Sequence, residues 1–156
     1  MELGVSTRRR DDAEGKAHGG TEINKKINGA IMRINELSGT VVDICFNIHR
    51  DLGPGLFESV YEEIFCFELA SRGYSFRRQD PIPVFWKGKK MNLGFKADVI
   101  IEDQIILEIK SVEQLAPVHY KQVLTYLKLT NKKLGLLVNF NEALIKDGIR
   151  RVVNGL

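Results

Sequence analysis

Three ionisable side chains interrupt the most apolar part of the chain. Residues 97–110 read Ala-Asp-Val-Ile-Ile-Glu-Asp-Gln-Ile-Ile-Leu-Glu-Ile-Lys, two β-branched runs around the polar Glu102-Asp103-Gln104. Charges in such strands are costly unless they are paired or bind a metal. A three-residue loop sets Ile101 opposite Ile105, and the same register brings Asp98 opposite Glu108, where facing Cβ atoms lie ~4.5–5.5 Å apart. Lys110 follows Glu108 by two and emerges on the same face. A two-residue loop would slip the register by one and separate the acids, so the geometry requires an odd loop. Two carboxylates that close repel, and without a cation one tends to hold a proton at neutral pH. A divalent ion removes the conflict, and hard oxygen ligands suit Mg²⁺ or Mn²⁺. Lys110 could then orient an attacking water or neutralise charge on a phosphate. The alternative is a structural ion pair between Lys110 and the two acids.

Other side chains could join them. Glu58 falls in the first turn of an expected helix, where the dipole favours an anion, so it reads as a ligand or as a cap. Gln122 and Tyr126 lie i, i+4 on a later helix and share a face with His119. Gln122 could hydrogen-bond water or phosphate; Tyr126 and Tyr120 could be core aromatics with a polar tip. His119 reads equally as a phosphate contact or a helix cap, and His49 as a helix-end surface residue or a phosphate contact. Cys45 and Cys66 fall on helical patterns as small core residues. Phe85 and Trp86, beside Lys87, Lys89 and Lys90, could stack on bases or pack on the sheet.

These residues need elements to hold them. Leu37, Val41, Ile44, Cys45, Ile48 and Leu52 recur at helical spacing and predict a helix over about 35–52, stopped by Gly53-Pro54-Gly55. A second helix is expected over 57–72, then strands over 74–78, 82–86 and 91–95, the last two flanking a turn at residues 87–90. Runs 97–101 and 105–109 are apolar on both faces, as central strands are. A helix over 117–129 and a strand over 133–140 follow, and the tail is expected to hold a short helix or strand. The order implies an α/β (mixed α+β) fold with a central mixed sheet flanked by helices. Residues 1–33 are polar and read as a largely disordered extension, with residues 34–156 as one domain. Met32, just before the first strong helical pattern, is a candidate translation start, which N-terminal sequencing of native protein would decide.

The chain has 156 residues, 44% hydrophobic and 28% charged, enough for a real core. No apolar run approaches the ~18–20 residues that span a bilayer, and no secretory h-region precedes the domain, so a cytoplasmic protein is expected. Two cysteines cannot build a four-thiolate zinc site or a disulfide framework. The net charge of +3 is small but unevenly placed. Residues 36–71 carry 1 positive and 7 negative charges, residues 72–96 carry 7 and 1, and residues 110–133 carry 5 and 1. A basic surface including Arg77, Arg78, Lys87, Lys89 and Lys90 could grip a nucleic-acid backbone, or these could be ordinary solvated faces.

Glu58 on an early helix, Asp98 on a strand, Glu108-Ile109-Lys110 on the next and Gln122-Val123-Leu124-Thr125-Tyr126 on a helix together resemble the PD-(D/E)XK nuclease superfamily, in particular its RecB-like branch. Gly55-Leu56-Phe57-Glu58-Ser59-Val60-Tyr61 is similar to the signature of the small bacterial GxxExxY proteins. Ala97 stands where the nominal Pro precedes the Asp, a position the chemistry does not require. The resemblance implies a restriction-endonuclease-like core and a Mg²⁺- or Mn²⁺-dependent phosphodiesterase acting on nucleic acid, DNA being favoured. It implies Asp98, Glu108 and the Ile109 carbonyl as metal ligands, supported by Glu58. It implies that Lys110 assists the water, that Gln122 orients water or phosphate, and that Tyr126 and His119 lie along the substrate path. The cysteines of iron–sulfur relatives are missing, so no cluster and no zinc are expected. A catalytically weak nucleic-acid-binding or protein-interaction module on the same fold is the competing expectation, and a homodimer is possible.

Overall fold

The computed structural model describes residues 18–156. Residues 1–17, part of the expected extension, lie outside the described residues. Helix α1 (His18–Leu52) starts well upstream of residue 35. Ile23, Ile27, Ile31 and Ile34 continue the helical spacing, but Ile23 and Ile27 stay exposed and the first buried residue is Ile34. The upstream half is thus helical without a packed face, and its polar composition concealed it. From Ile34 on, Leu37, Val41, Ile44, Cys45 and Ile48 are buried as their spacing predicts, whereas Leu52 is exposed. Gly53 ends the helix with φ +68° and donates its N–H to the His49 carbonyl.

Helix α2 (Glu58–Ser71) buries Tyr61, Phe65, Cys66 and Leu69 against α1. Then come β1 (Phe76–Ile82), β2 (Phe85–Trp86), β3 (Lys89–Lys90), β4 (Phe95–Ile101) and β5 (Ile105–Lys110). They are followed by α3 (Pro117–Thr130), β6 (Leu134–Asn139), the short α4 (Ile145–Gly148) and β7 (Ile149–Val153). The two expected strands over 74–78 and 82–86 are divided differently: β1 takes most of the span, and Phe85–Trp86 joins a separate two-stranded ribbon with β3. The ribbon turn is only Lys87-Gly88, both at positive φ (+50° and +77°), the two-residue geometry that matches strand twist.

The main sheet runs β1-β4-β5-β6-β7. Only β5 and β6 are parallel, with α3 as the crossover between them. One face packs on α1 and α2 through Val99, Ile101, Ile105, Leu107, Ile109, Leu136 and Val138. The other packs on α3, where Ile100, Ile106, Leu137 and Val152 meet Val123, Tyr126 and Leu127. Both faces are covered, which explains why β4 to β6 read as near-continuous apolar runs. The architecture is the mixed sheet flanked by helices that the sequence implies.

Tyr61 fixes how α2 begins. Its ring is buried and stacks on Phe140 with centroids 4.3 Å apart. Its hydroxyl donates to the Gly53 carbonyl at 2.6 Å and accepts from the Leu56 N–H at 3.2 Å, closing the Gly53-Pro54-Gly55 bend. Tyr61→Phe keeps the ring and strands both backbone groups, each worth about 1–3 kcal/mol when left unpaired. Urea denaturation should show a loss of about 2 kcal/mol; an unchanged midpoint would mean the hydroxyl pins nothing.

Candidate active site

The β4–β5 turn is the three-residue Glu102-Asp103-Gln104, with Ile101 facing Ile105. The pairing continues through Ile100–Ile106 to Val99–Leu107, and one more step in that register sets Asp98 against Glu108. The ladder changes there. The Asp98 carboxylate accepts the Ile109 N–H at 2.8 Å, so a side chain takes a donor that a backbone carbonyl would otherwise hold. Glu108 and Lys110 share a face, with Lys110 Nζ 3.5 Å from Glu108 Oε1.

Glu108 is buried, and among the described residues its Oε2 has no hydrogen-bond partner. Burial first, and then the charge of Asp98, push its carboxyl up to about 7; the Lys110 ammonium offsets this only in part. Asp98 is raised as well, by burial above all, with the Ile109 N–H opposing and the Glu62 charge adding. Tyr126 lies over the same group: burial, then the Glu108 charge, raise its phenol to about 12. Its hydroxyl accepts from Gln122 Nε2 at 2.7 Å. The sequence thus brings Asp98, Glu108, Lys110, Gln122 and Tyr126 to one region. The Tyr126 ring is a core residue, packed on Phe95, so only its hydroxyl faces the carboxylates.

An orphaned, buried carboxylate oxygen beside a second carboxylate fits a hard divalent cation. Among the described residues, no three His, Cys, Asp or Glu side chains form a metal-binding group. Asp98 and Glu108 are the two carboxylates that the site offers, each coupled to the charge of the Lys110 ammonium.

Glu58 is engaged by the backbone. Its carboxylate accepts the Ser111 N–H at 3.2 Å, and Ser111 Oγ donates to the Leu56 carbonyl at 2.6 Å. Glu58 therefore latches the start of α2 to the end of β5, just past Lys110. The helix acid whose charge reaches Asp98 is Glu62, one turn later. Glu62 is buried and held by Arg78 Nε at 3.1 Å and Gln79 Nε2 at 2.8 Å.

Gln79 was missed by sequence reasoning, as was Glu62. Its Nε2 also reaches Asp98 Oδ1 at 3.3 Å, so one amide links both acids. Its φ is +46°, an unfavourable value for a side-chain-bearing residue inside a strand. The kink changes the strand's phase: Phe76 packs toward α1 and α2, but Ile82 toward α3. Strict alternation would put both on one face. Such backbone strain clusters at functional sites. No sequence signal marks it, because Gln is not a turn residue.

The remaining candidates divide. His119 Nδ1 accepts the Ala116 N–H at 3.0 Å and caps α3. His49 is buried, and its Nε2–H donates to the Glu142 carbonyl at 2.8 Å, a structural tie away from the surface role expected. Arg77 pairs with Asp80 and Asp103, and Arg78 with Glu62 and Glu63, so neither is a free backbone grip. Lys87, Lys89 and Lys90 are exposed on the ribbon. Asn139, also unforeseen, is fully buried and bonds both the N–H and carbonyl of Val112, fixing the segment after Lys110.

In metal-free protein, native Glu108 keeps its proton up to about 7 while its ordinary value is 4.5. The folded state then binds more protons in that window, so stability falls as pH rises through it. Glu108→Gln removes the effect, and Asp98 acts in the same direction. Urea unfolding in EDTA should show Glu108→Gln gaining on wild type between about pH 5 and about pH 8, by on the order of 3 kcal/mol. A difference independent of pH would contradict the buried-charge account.

No curated protein and no solved structure matches the chain. No helix among the described residues is long and apolar enough to cross a membrane. A family model described as the PD-(D/E)XK nuclease superfamily matches residues 35–152, from the packed half of α1 to β7. The match takes in the Asp98, Glu108 and Lys110 strands whole, and the chain belongs to that superfamily.

Proposed function

We propose that this protein is a divalent-metal-dependent nuclease that hydrolyses phosphodiester bonds in DNA. The observation that carries the reading is the buried Glu108 Oε2, which has no donor, beside Asp98 and with Lys110 on the same face. Asp98, Glu108 and the Ile109 carbonyl would hold Mg²⁺ or Mn²⁺. When bound, the ion polarises the phosphate and makes water a stronger nucleophile at neutral pH. Asp98 is held for this by the Ile109 N–H and the Gln79 amide. The Lys110 ammonium orients the attacking water and neutralises charge that develops on the phosphate. Gln122 fixes the Tyr126 hydroxyl beside the carboxylates, where it can donate to a phosphate oxygen. Glu58 acts indirectly, by latching α2 to the strand end that carries Lys110.

The test is cleavage of labelled single- and double-stranded DNA, and of RNA, with Mg²⁺, Mn²⁺ or EDTA. Wild type should yield DNA products only with metal, and Asp98→Ala and Lys110→Ala should each lower the rate about 100-fold or more. Products in EDTA, or undiminished cleavage by Asp98→Ala, would refute the assignment. Gln79→Gly keeps the left-handed backbone and removes the side chain with its amide contacts to Asp98 and Glu62. Calorimetry should show Mn²⁺ affinity reduced about tenfold in protein that remains folded. Wild-type affinity in this variant would mean that Gln79 does not position Asp98.

A further inference from the structure

The β2–β3 ribbon is the part of the molecule that the proposed chemistry leaves unused. It has no helix over it, and it carries the chain's sole tryptophan. Phe85 is 57% and Trp86 68% exposed, an unusual cost for two adjacent aromatics on a short ribbon. Phe85 pairs with Lys90 and Trp86 with Lys89, so each face of the ribbon presents a ring and an ammonium side by side. Lys87 occupies the turn. Among the described residues, none of these three lysines forms an ion pair or a side-chain hydrogen bond. By contrast, Arg77 and Arg78 at the other end of β1 are both engaged. The Met91 N–H to Val84 carbonyl bond at 2.8 Å and the tight Lys87-Gly88 turn make the ribbon a formed element rather than a loose loop.

Its place in the fold matters equally. β1 and β4 pair as far as Ile82–Phe95, and the ribbon is the continuation of that hairpin. Asp98 lies three residues from Phe95, about 10 Å along an extended strand. The Phe95 ring also packs on Tyr126, whose hydroxyl faces the carboxylates. A polyanion threaded past Asp98 and Glu108 would meet the ribbon next. Free ammonium groups match a phosphate backbone, and exposed rings match bases only where the bases are unstacked from a partner strand. A second copy of this chain is a poorer occupant, because a self-pair would set the same lysines against one another.

We infer that the β2–β3 ribbon is a binding platform for single-stranded nucleic acid, with Trp86 and Phe85 stacking on unpaired bases and Lys87, Lys89 and Lys90 holding their phosphates. The inference rests on the nuclease reading for its orientation but can be tested without catalysis. In EDTA, an oligothymidylate of about 20 nucleotides should quench Trp86 emission and bind on the order of tenfold more tightly than its duplex with oligoadenylate. Trp86→Ala, followed by anisotropy of a labelled strand, should weaken binding about tenfold, while Trp86→Phe retains most of it. Lys89→Ala should lower the salt dependence of log K by about one. Unchanged Trp86 emission, equal binding of duplex, wild-type affinity in Trp86→Ala, or quenching by anionic phospholipid vesicles alone would overturn the platform. Metal-dependent cleavage with a silent Trp86 would sink this inference and leave the nuclease intact. Quenching by single strands without any metal-dependent cleavage would do the reverse.

Discussion

The chain buries a carboxylate that it does not satisfy. Glu108 sits in an otherwise Ile and Leu strand, with one oxygen 3.5 Å from Lys110 and the other without any partner. Burying an unpaired charge is among the more costly things a fold can do, and the neighbouring Asp98 charge makes it worse. Nothing in the packing of β5 requires it, since the flanking Leu107 and Ile109 fill the opposite core. The surrounding structure supports the arrangement rather than relieving it. Asp98 is fixed by a backbone N–H and a glutamine amide, and the Tyr126 hydroxyl is held nearby by Gln122. Gln79 accepts a left-handed backbone to make its contribution. A site that concentrates negative charge and leaves an acceptor open is preorganised for a cation.

Around that centre the acidic residues of α2 divide the work. Glu58 and Glu62 lie one turn apart on one helix, yet Glu58 is tied to the N–H of Ser111 and Glu62 to Arg78 and Gln79. One secures the end of β5 and the other the kink of β1. Tyr61 between them closes the bend that lets α2 start where it does. The hydrogen bonds of the Gly-x-x-Glu-x-x-Tyr segment thus go to backbone groups: Tyr61 closes the bend before α2, and Glu58 holds the Ser111 N–H just past the strand that carries Lys110.

What could be read from the sequence follows from which interactions are local. The hairpin register was legible because a three-residue loop and period-two alternation determine it, and so were the faces of Glu108 and Lys110. The buried stripe of α1 and its glycine stop were legible for the same reason. The upstream half of α1 was not, since Ile23 and Ile27 stay exposed among polar neighbours and its sequence resembles a polar tail. Glu62 drew no attention because its partners are 16 and 17 residues away on another element. Gln79 offered no signal, since neither its residue type nor its neighbours announce a positive φ. The two histidines each stood open between two readings: His119 takes the helix-cap one, through the Ala116 N–H, and His49 is buried against the Glu142 carbonyl instead of lying on the surface.

The charge pattern gains meaning from the same long-range pairing. The basic stretch over residues 72–96 looks uniform in sequence, yet Arg77 and Arg78 neutralise acids of α2 and the β4–β5 turn, while among the described residues its ribbon lysines meet no acid. Positive charge is spent internally near the sheet and left free at the tip. Both ends belong to one β1–β4 hairpin, which carries Gln79 and Asp98 in its body and Trp86 at its end. A single element therefore carries Asp98 and extends into the cationic, aromatic surface beyond it. Changing the strand pairing at Ile82–Phe95 would move both together, so under the proposed function the hairpin, rather than any one side chain, is the unit that would join the acid to a bound strand.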